Sequence, residues 1–143
     1  MISSYGLRVK DDNVMGKVET FEDLEIWQSA RRICQDVWYI IENTSLGKDF
    51  KLRDQMNGSS GSIMDNIAEG FERNGNREFI QFLSISKASC GELRSQLYRC
   101  MDRKHINEET FKRLQEETQV ESKKIGAFIG YLKKSNRKGS KYD

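Results

Sequence analysis

Apolar residues recur at steps of three and four in four separate stretches of this chain, the period that places side chains along one face of an α-helix. The first stretch holds Ile26, Trp27, Ala30, Ile33, Cys34, Val37, Trp38, Ile40 and Ile41. The second holds Leu52, Met56, Ser59 or Ser60, Ile63 and Ile67, and the third Phe79, Leu83, Ser86, Cys90, Leu93, Leu97 and Cys100. In the fourth, Phe111, Leu114, Thr118, Glu121, Ile125, Phe128 or Ile129, and Leu132 follow the heptad-like spacing of a bundle seam. No stretch alternates with the period of a strand.

Boundary residues agree with four helices. Thr20 offers an N-cap hydroxyl ahead of Glu22 and Asp23, and the first helix is predicted to run from there to about Asn43. Residues 44–51, with Gly47 and Asp49, connect it to the second helix. Gly70, Asn74, Gly75 and Asn76 are helix-stop and turn residues between the second and third. Arg103, Lys104 and His105 end the third with cations, and Asn107 caps a fourth that opens on Glu108 and Glu109. Short connections between such helices predict an all-α fold, an antiparallel up-down-up-down four-helix bundle over residues 20–134. Residues 1–19 lack sustained periodicity and read as a flexible arm, and residues 135–143 as a polar, basic tail.

Three features strain the simplest version of this picture. Gly58, Ser59, Ser60, Gly61 and Ser62 crowd the middle of the second helix, where each Gly costs about 1 kcal/mol relative to Ala; close approach of a neighbouring helix is the expected compensation. The first helix carries an apolar arc of roughly 160°, wider than one bundle core needs, so a subunit interface is expected over Trp27 and Trp38. Glu121 interrupts the fourth seam and is expected at its edge or paired with a cation from another helix.

Composition narrows the class. The chain has 143 residues, no proline and 32% charged residues, which fits one domain of uninterrupted helices with solvated outer faces. No apolar run approaches the roughly 18 to 20 residues that cross a bilayer, and the first ten residues have no signal-peptide core, so a cytoplasmic protein is expected. Cys34, Cys90 and Cys100 fall on apolar helix faces with no CxxC pair, as free thiols in a reducing compartment would, and no metal site or cofactor is expected. The net charge of +2 hides an asymmetry: residues 123–143 carry Lys123, Lys124, Lys133, Lys134, Arg137, Lys138 and Lys141 against Asp143, a balance of +6 that leaves −4 for the rest. A short lysine-rich end has no recognition geometry of its own and reads first as a solvated tail.

The stretch DQMNGSSGSIMDNIAEGFERNGNREFIQFLSISKASCGEL resembles the signature of a bacterial family named "four helix bundle protein", also known for reading frames inside the intervening sequences of some 23S rRNA genes. Asp54, Gln55, Ser62, Ile63, Asn66, Ile67, Ala68, Glu69, Gly70, Glu78, Phe79, Phe82, Leu83, Ser89, Glu92 and Leu93 match it in order, and the likeness extends over roughly residues 20–135. Asn57 and Gly58 stand where that family has basic residues, Lys87-Ala88-Ser89 where it has Ala-Gly-Ser, and its loop proline is missing. The resemblance implies a cyclic homo-oligomer, commonly a pentamer, without established activity. Related proteins serve as nucleic-acid-binding subunits of reverse transcriptases.

Candidate chemistry is sparse. Gln55, Asn66, Glu69, Ser89 and Glu92 lie on or beside the apolar faces of the middle helices, where an interhelical hydrogen-bond network is the first expectation and a ligand site the second. Arg99 and His105 fit the permissive Arg-x(4–6)-His pattern of HEPN ribonucleases, metal-independent enzymes, at a helix end where cations are expected anyway. A di-iron bundle site is excluded, because it needs two histidines and the chain has one. Arg31, Arg32, Arg73, Arg77, Arg94, Arg99, Arg103 and Lys104 are candidate RNA contacts that self-association would have to assemble. The expectation is a non-enzymatic, homo-oligomeric binding or scaffold protein with RNA as its ligand, the alternatives being that ribonuclease and a purely protein-binding adaptor.

Overall fold

The computed structural model describes residues 17–139, with side chains through residue 135. Four helices make up the fold: α1 (Glu25–Asn43), α2 (Phe50–Phe71), α3 (Asn76–Asp102) and α4 (Glu108–Gly139), with 3-10 turns at Phe21–Asp23 and Ser45–Lys48 and no strand among the described residues. Cross-helix contacts set their directions. Ser59 meets Gln96 and Ser62 meets Ser89, so α2 and α3 run in opposite senses. Arg94 bonds Gln115 while Asn76 reaches the Leu132 carbonyl, which makes α3 and α4 antiparallel. Arg113 reaches Asp36 and Lys124 reaches Glu25, so α4 opposes α1. The order is up-down-up-down.

The periodic residues form the core they imply. Leu52, Met56, Ile63 and Ile67 of α2 and Leu83, Cys90, Leu97 and Cys100 of α3 are all 0% exposed. Ile26, Ala30, Ile33, Val37, Ile40 and Ile41 of α1 and Phe111, Leu114, Ile125, Phe128 and Leu132 of α4 close over them, and Val18 packs partly buried against the result.

Boundaries differ in places, for local reasons. Thr20 begins a 3-10 turn, and α1 itself starts at Glu25 after the extended Leu24; the Asp23 carboxylate accepts the backbone N–H groups of Glu19 and Thr20 at 2.9 and 3.1 Å, which lowers its pKa. The third helix stops at Asp102. Lys104, at φ 65°, takes the left-handed position usually given to glycine, its N–H bonding the Met101 carbonyl while that of His105 bonds the Cys100 carbonyl. Asn107 caps α4 as expected, its side-chain oxygen accepting the Thr110 N–H at 2.8 Å. α4 continues to Gly139, past the predicted limit at 134, while residues 1–16 of the arm and 140–143 of the tail lie outside the described residues.

The small-residue run behaves differently from its expected role. A Cβ on Gly58 or Gly61 would meet nothing within 4 Å, so neither glycine makes the close approach. The buried serines do: Ser59, Ser86 and Ser89 line the α2–α3 seam. Gly70 joins them. A Cβ there would stand 2.8 Å from Phe82 Cβ and 2.9 Å from Phe79 Cδ1, so this residue belongs to the helix contact and not to the turn. Gly75, at φ 92°, makes the turn.

Candidate functional site

α1 packs more fully along α2 than along α4. The difference leaves a groove of about 600 Å³ between α1 and α4, into which α1 presents Arg32, Ile33 and Asp36 and α4 presents Arg113, Glu117, Val120 and Glu121. Glu121 is only 1% exposed, being a seam residue by position. Neither of its oxygens has a hydrogen-bond partner among the described residues, and Glu117 Oε1 has none either. Glu121 is therefore neither at an edge nor paired.

The groove's own cations are engaged elsewhere. Lys124 Nζ lies 2.8 Å from Glu25 Oε2, Arg32 donates to Ser29 Oγ at 3.1 Å, and Arg113 stands a long 3.7 Å from both Asp36 and Glu117. Burial is the main reason the Glu121 carboxyl is pushed up to about 8, against the favourable charges of Lys124 and Arg32 and with a small push from Glu25. Burial also raises Glu117, to about 7, with the neighbouring Asp36 carboxyl adding to it and Arg113 and Arg32 opposing. Two carboxyls one helical turn apart thus hold protons near neutrality, a property that concentrates at functional sites. Such a pair can take a cation or carry a proton. No group of three metal-ligating side chains stands nearby or elsewhere among the described residues.

A second polar set ties α2 to α3. Ser59 Oγ donates to Gln96 Oε1 at 2.6 Å, Ser86 Oγ to the Ile63 carbonyl at 2.7 Å, and Ser62 and Ser89 share a 2.8 Å hydrogen bond. Asn66 Nδ2 donates to the Ser62 carbonyl and hydroxyl at 2.8 and 2.9 Å. Of the five polar motif residues, Asn66 and Ser89 join this ladder. Gln55 lies further along the seam and accepts from Arg99 at 3.1 Å, Glu69 pairs with Arg73 at 2.8 Å on the surface, and Glu92 is exposed. Sequence reasoning passed over Gln96, although it sits between Leu93 and Leu97 on the apolar stripe and is 3% exposed. That position was the available signal.

Arg99 and His105 take separate partners. The His105 ring lies 2.6 Å from Ser45 Oγ through Nδ1 and 2.9 Å from Asp49 Oδ2 through Nε2, while Arg103 Nη1 reaches the same Asp49 oxygen at 2.9 Å. This cluster straps the α1–α2 connection to the α3–α4 connection. The candidate RNA contacts are spread over the chain. Arg73, over the Phe82 ring, and Arg77 lie beside the α2–α3 turn, and Arg103 and Lys104 lie at the far end of α3. Arg94 is bound to Gln115, Arg31 stands over the Trp27 ring, and Arg32 faces the groove. One chain does not gather them.

An all-α bundle whose two middle helices are pinned by a serine–amide ladder that runs from Ser59 to Asn66 on α2 is a bundle of the kind the central motif implies. The model of the 23S rRNA-intervening sequence protein family matches residues 22–127, and the chain belongs to that family. A crystal structure of a protein of unknown function from the S23 ribosomal protein family of Bacteroides thetaiotaomicron resembles it in fold, with a TM-score of 0.69 and 18% identity, over 73% of this chain and 97% of that one. No curated protein matches it. Among the described residues no helix is long and apolar enough to cross a membrane.

Proposed function

We propose that this protein is a non-enzymatic binding scaffold of the cytoplasm that works as a closed homo-oligomer, with structured RNA as its ligand. One observation carries the assembly: with the core complete, Trp38 remains 48% exposed and its neighbour Tyr39 65% exposed. Trp27, three turns earlier on the same flank of α1, is only partly buried and rests edge-on against Phe21 at 5.2 Å. A second copy seated on this flank would remove that apolar surface from water. Assembly would also repeat Arg31 and the other scattered cations around one particle, multiplying phosphate contacts. The family's association with rRNA intervening sequences favours RNA over other polyanions.

Light scattering across a concentration series tests the assembly. A discrete multimer that Trp38→Glu reduces to monomer is expected, and a wild-type monomer at all concentrations overturns it. Filter binding of structured RNA across salt tests the ligand. Retention should fall linearly in log–log form with salt, and retention independent of salt, or absent, removes RNA from the proposal.

A further inference from the structure

A carboxylate buried without a hydrogen bond or counter-ion is costly enough that the group either keeps its proton or acquires a partner. Glu121 is in that position, and both it and Glu117, which has one such oxygen of its own, line the same groove. The faces around them are mixed. From α1, Glu25 and Arg32 face Glu121 and Asp36 faces Glu117; from α3, Cys90 stands near Glu121; on α4 itself, Lys124 and Arg113 flank the pair. Lys124 is held by Glu25 and Arg32 by Ser29, so among the described residues no side chain forms an ion pair with Glu121, although the charges of both cations act on it. Beside the acids, Ile33 and the exposed Val120 give the groove an apolar wall. Its volume of about 600 Å³ lies within the range of small-ligand sites. The lining sets Asp36, Glu116, Glu117 and Glu121 against Arg32, Arg113 and Lys124, an acidic balance that disfavours phosphate, and the described residues offer no three-ligand set for a metal ion; an organic cation suits the partnerless carboxyls and the apolar wall together.

We propose that this groove binds a slender organic cation, an alkyl guanidinium or ammonium, with its charged nitrogen between Glu117 and Glu121 and its stem along Ile33 and Val120. The cation replaces the proton: Glu121 ionises as the ligand enters, so binding releases a proton and strengthens as pH rises. The site uses neither Trp27 nor Trp38, and its test does not need the oligomer to form.

Calorimetric titration of the full chain with agmatine, in buffers of different protonation enthalpy, reads both affinity and proton release. Affinity should rise by about tenfold per pH unit between roughly pH 6 and 7, then level off as the pH passes the point where Glu121 is already ionised. Glu121→Gln should bind at least about tenfold more weakly and release correspondingly fewer protons, while the exposed Glu92→Gln should match wild type. Thermal melts establish that both variants are folded. A parallel titration with a short, terminally blocked arginine peptide separates the sources: binding of agmatine supports a free amine, and binding of the peptide alone supports an arginine side chain from a protein segment. Failure of both, or binding that Glu121→Gln and Glu117→Gln leave unchanged, overturns the proposal.

Discussion

The Asp49 carboxylate lies 2.9 Å from the His105 imidazole across one end of the bundle, joining residues 56 apart in the chain. Asp49 is the residue before α2 and its side chain caps nothing there; it is spent on His105 and Arg103 instead. The contact therefore fixes two connections against each other, a job that neither connection performs locally.

Those hydrogen bonds from His105 and Arg103 hold the Asp49 carboxyl below its ordinary value of 3.8. A group whose folded pKa is depressed contributes stability above its unfolded pKa and loses it as pH falls through the folded value. Asp49→Asn should accordingly be less stable than wild type at neutral pH, and the gap should close on acidification below about pH 4. Urea melts at several acid pH values would show the two curves converging.

Glu121 carries the opposite sign. Its folded value of about 8 lies above the ordinary 4.5, so between those limits the folded chain holds a proton that the unfolded chain gives up, and stability falls as pH rises through that window. The full cost is on the order of 3 to 5 kcal/mol above the window. Glu121→Gln keeps the shape without the ionisation. It should raise stability most near pH 8 and flatten the slope between about pH 5 and 8, as denaturant titrations at each pH would record. Glu117 adds a weaker slope of the same sign, moderated by its greater exposure to solvent.

How much of this was legible depended on whether a property belongs to one helix or to two. The rows Leu52–Met56–Ile63–Ile67 and Leu83–Cys90–Leu93–Leu97 are set by the period of a single helix, and all are core. Asn66 and Ser89 were readable for the same reason, since they flank those rows, whereas Ser62, the hydroxyl that joins them, stands out in the sequence as one of the small residues and not as a polar partner. Glu121 could be singled out as a break in its row, yet its lack of a partner depends on how α1 and α4 pack against each other, and no period encodes that. Likewise nothing local pairs His105 with Ser45 and Asp49, and the arginine and histidine that fit a sequence pattern take different partners in space.

Leu97 measures whether α3 is correctly turned in the core. It is 0% exposed, and Leu97→Ala should cost about 2 to 5 kcal/mol by leaving a cavity that helices pinned by Ser59–Gln96 cannot readily collapse. A urea midpoint displaced at unchanged slope would report that loss.

Two glycines on α2 should respond to alanine with opposite signs. At Gly70 the added Cβ would lie 2.8 Å from Phe82 Cβ and 2.9 Å from Phe79 Cδ1, so α2 and α3 must separate or both phenylalanines must shift. Overpacking of this kind costs about 1 to 3 kcal/mol, and the Phe71–Phe79–Phe128 ring contacts at 6.0 and 5.5 Å would transmit the shift to α4. At Gly58 the same methyl meets nothing within 4 Å, so only the helix preference remains and Gly58→Ala should add about 0.5 to 1 kcal/mol. Chemical denaturation of the two single variants and the double one would check both signs. Near-additivity is expected, because the sites sit three turns apart with no shared neighbour, and the opposite signs would show that glycine lowers helix stability without a packing return at Gly58 and meets a packing requirement at Gly70.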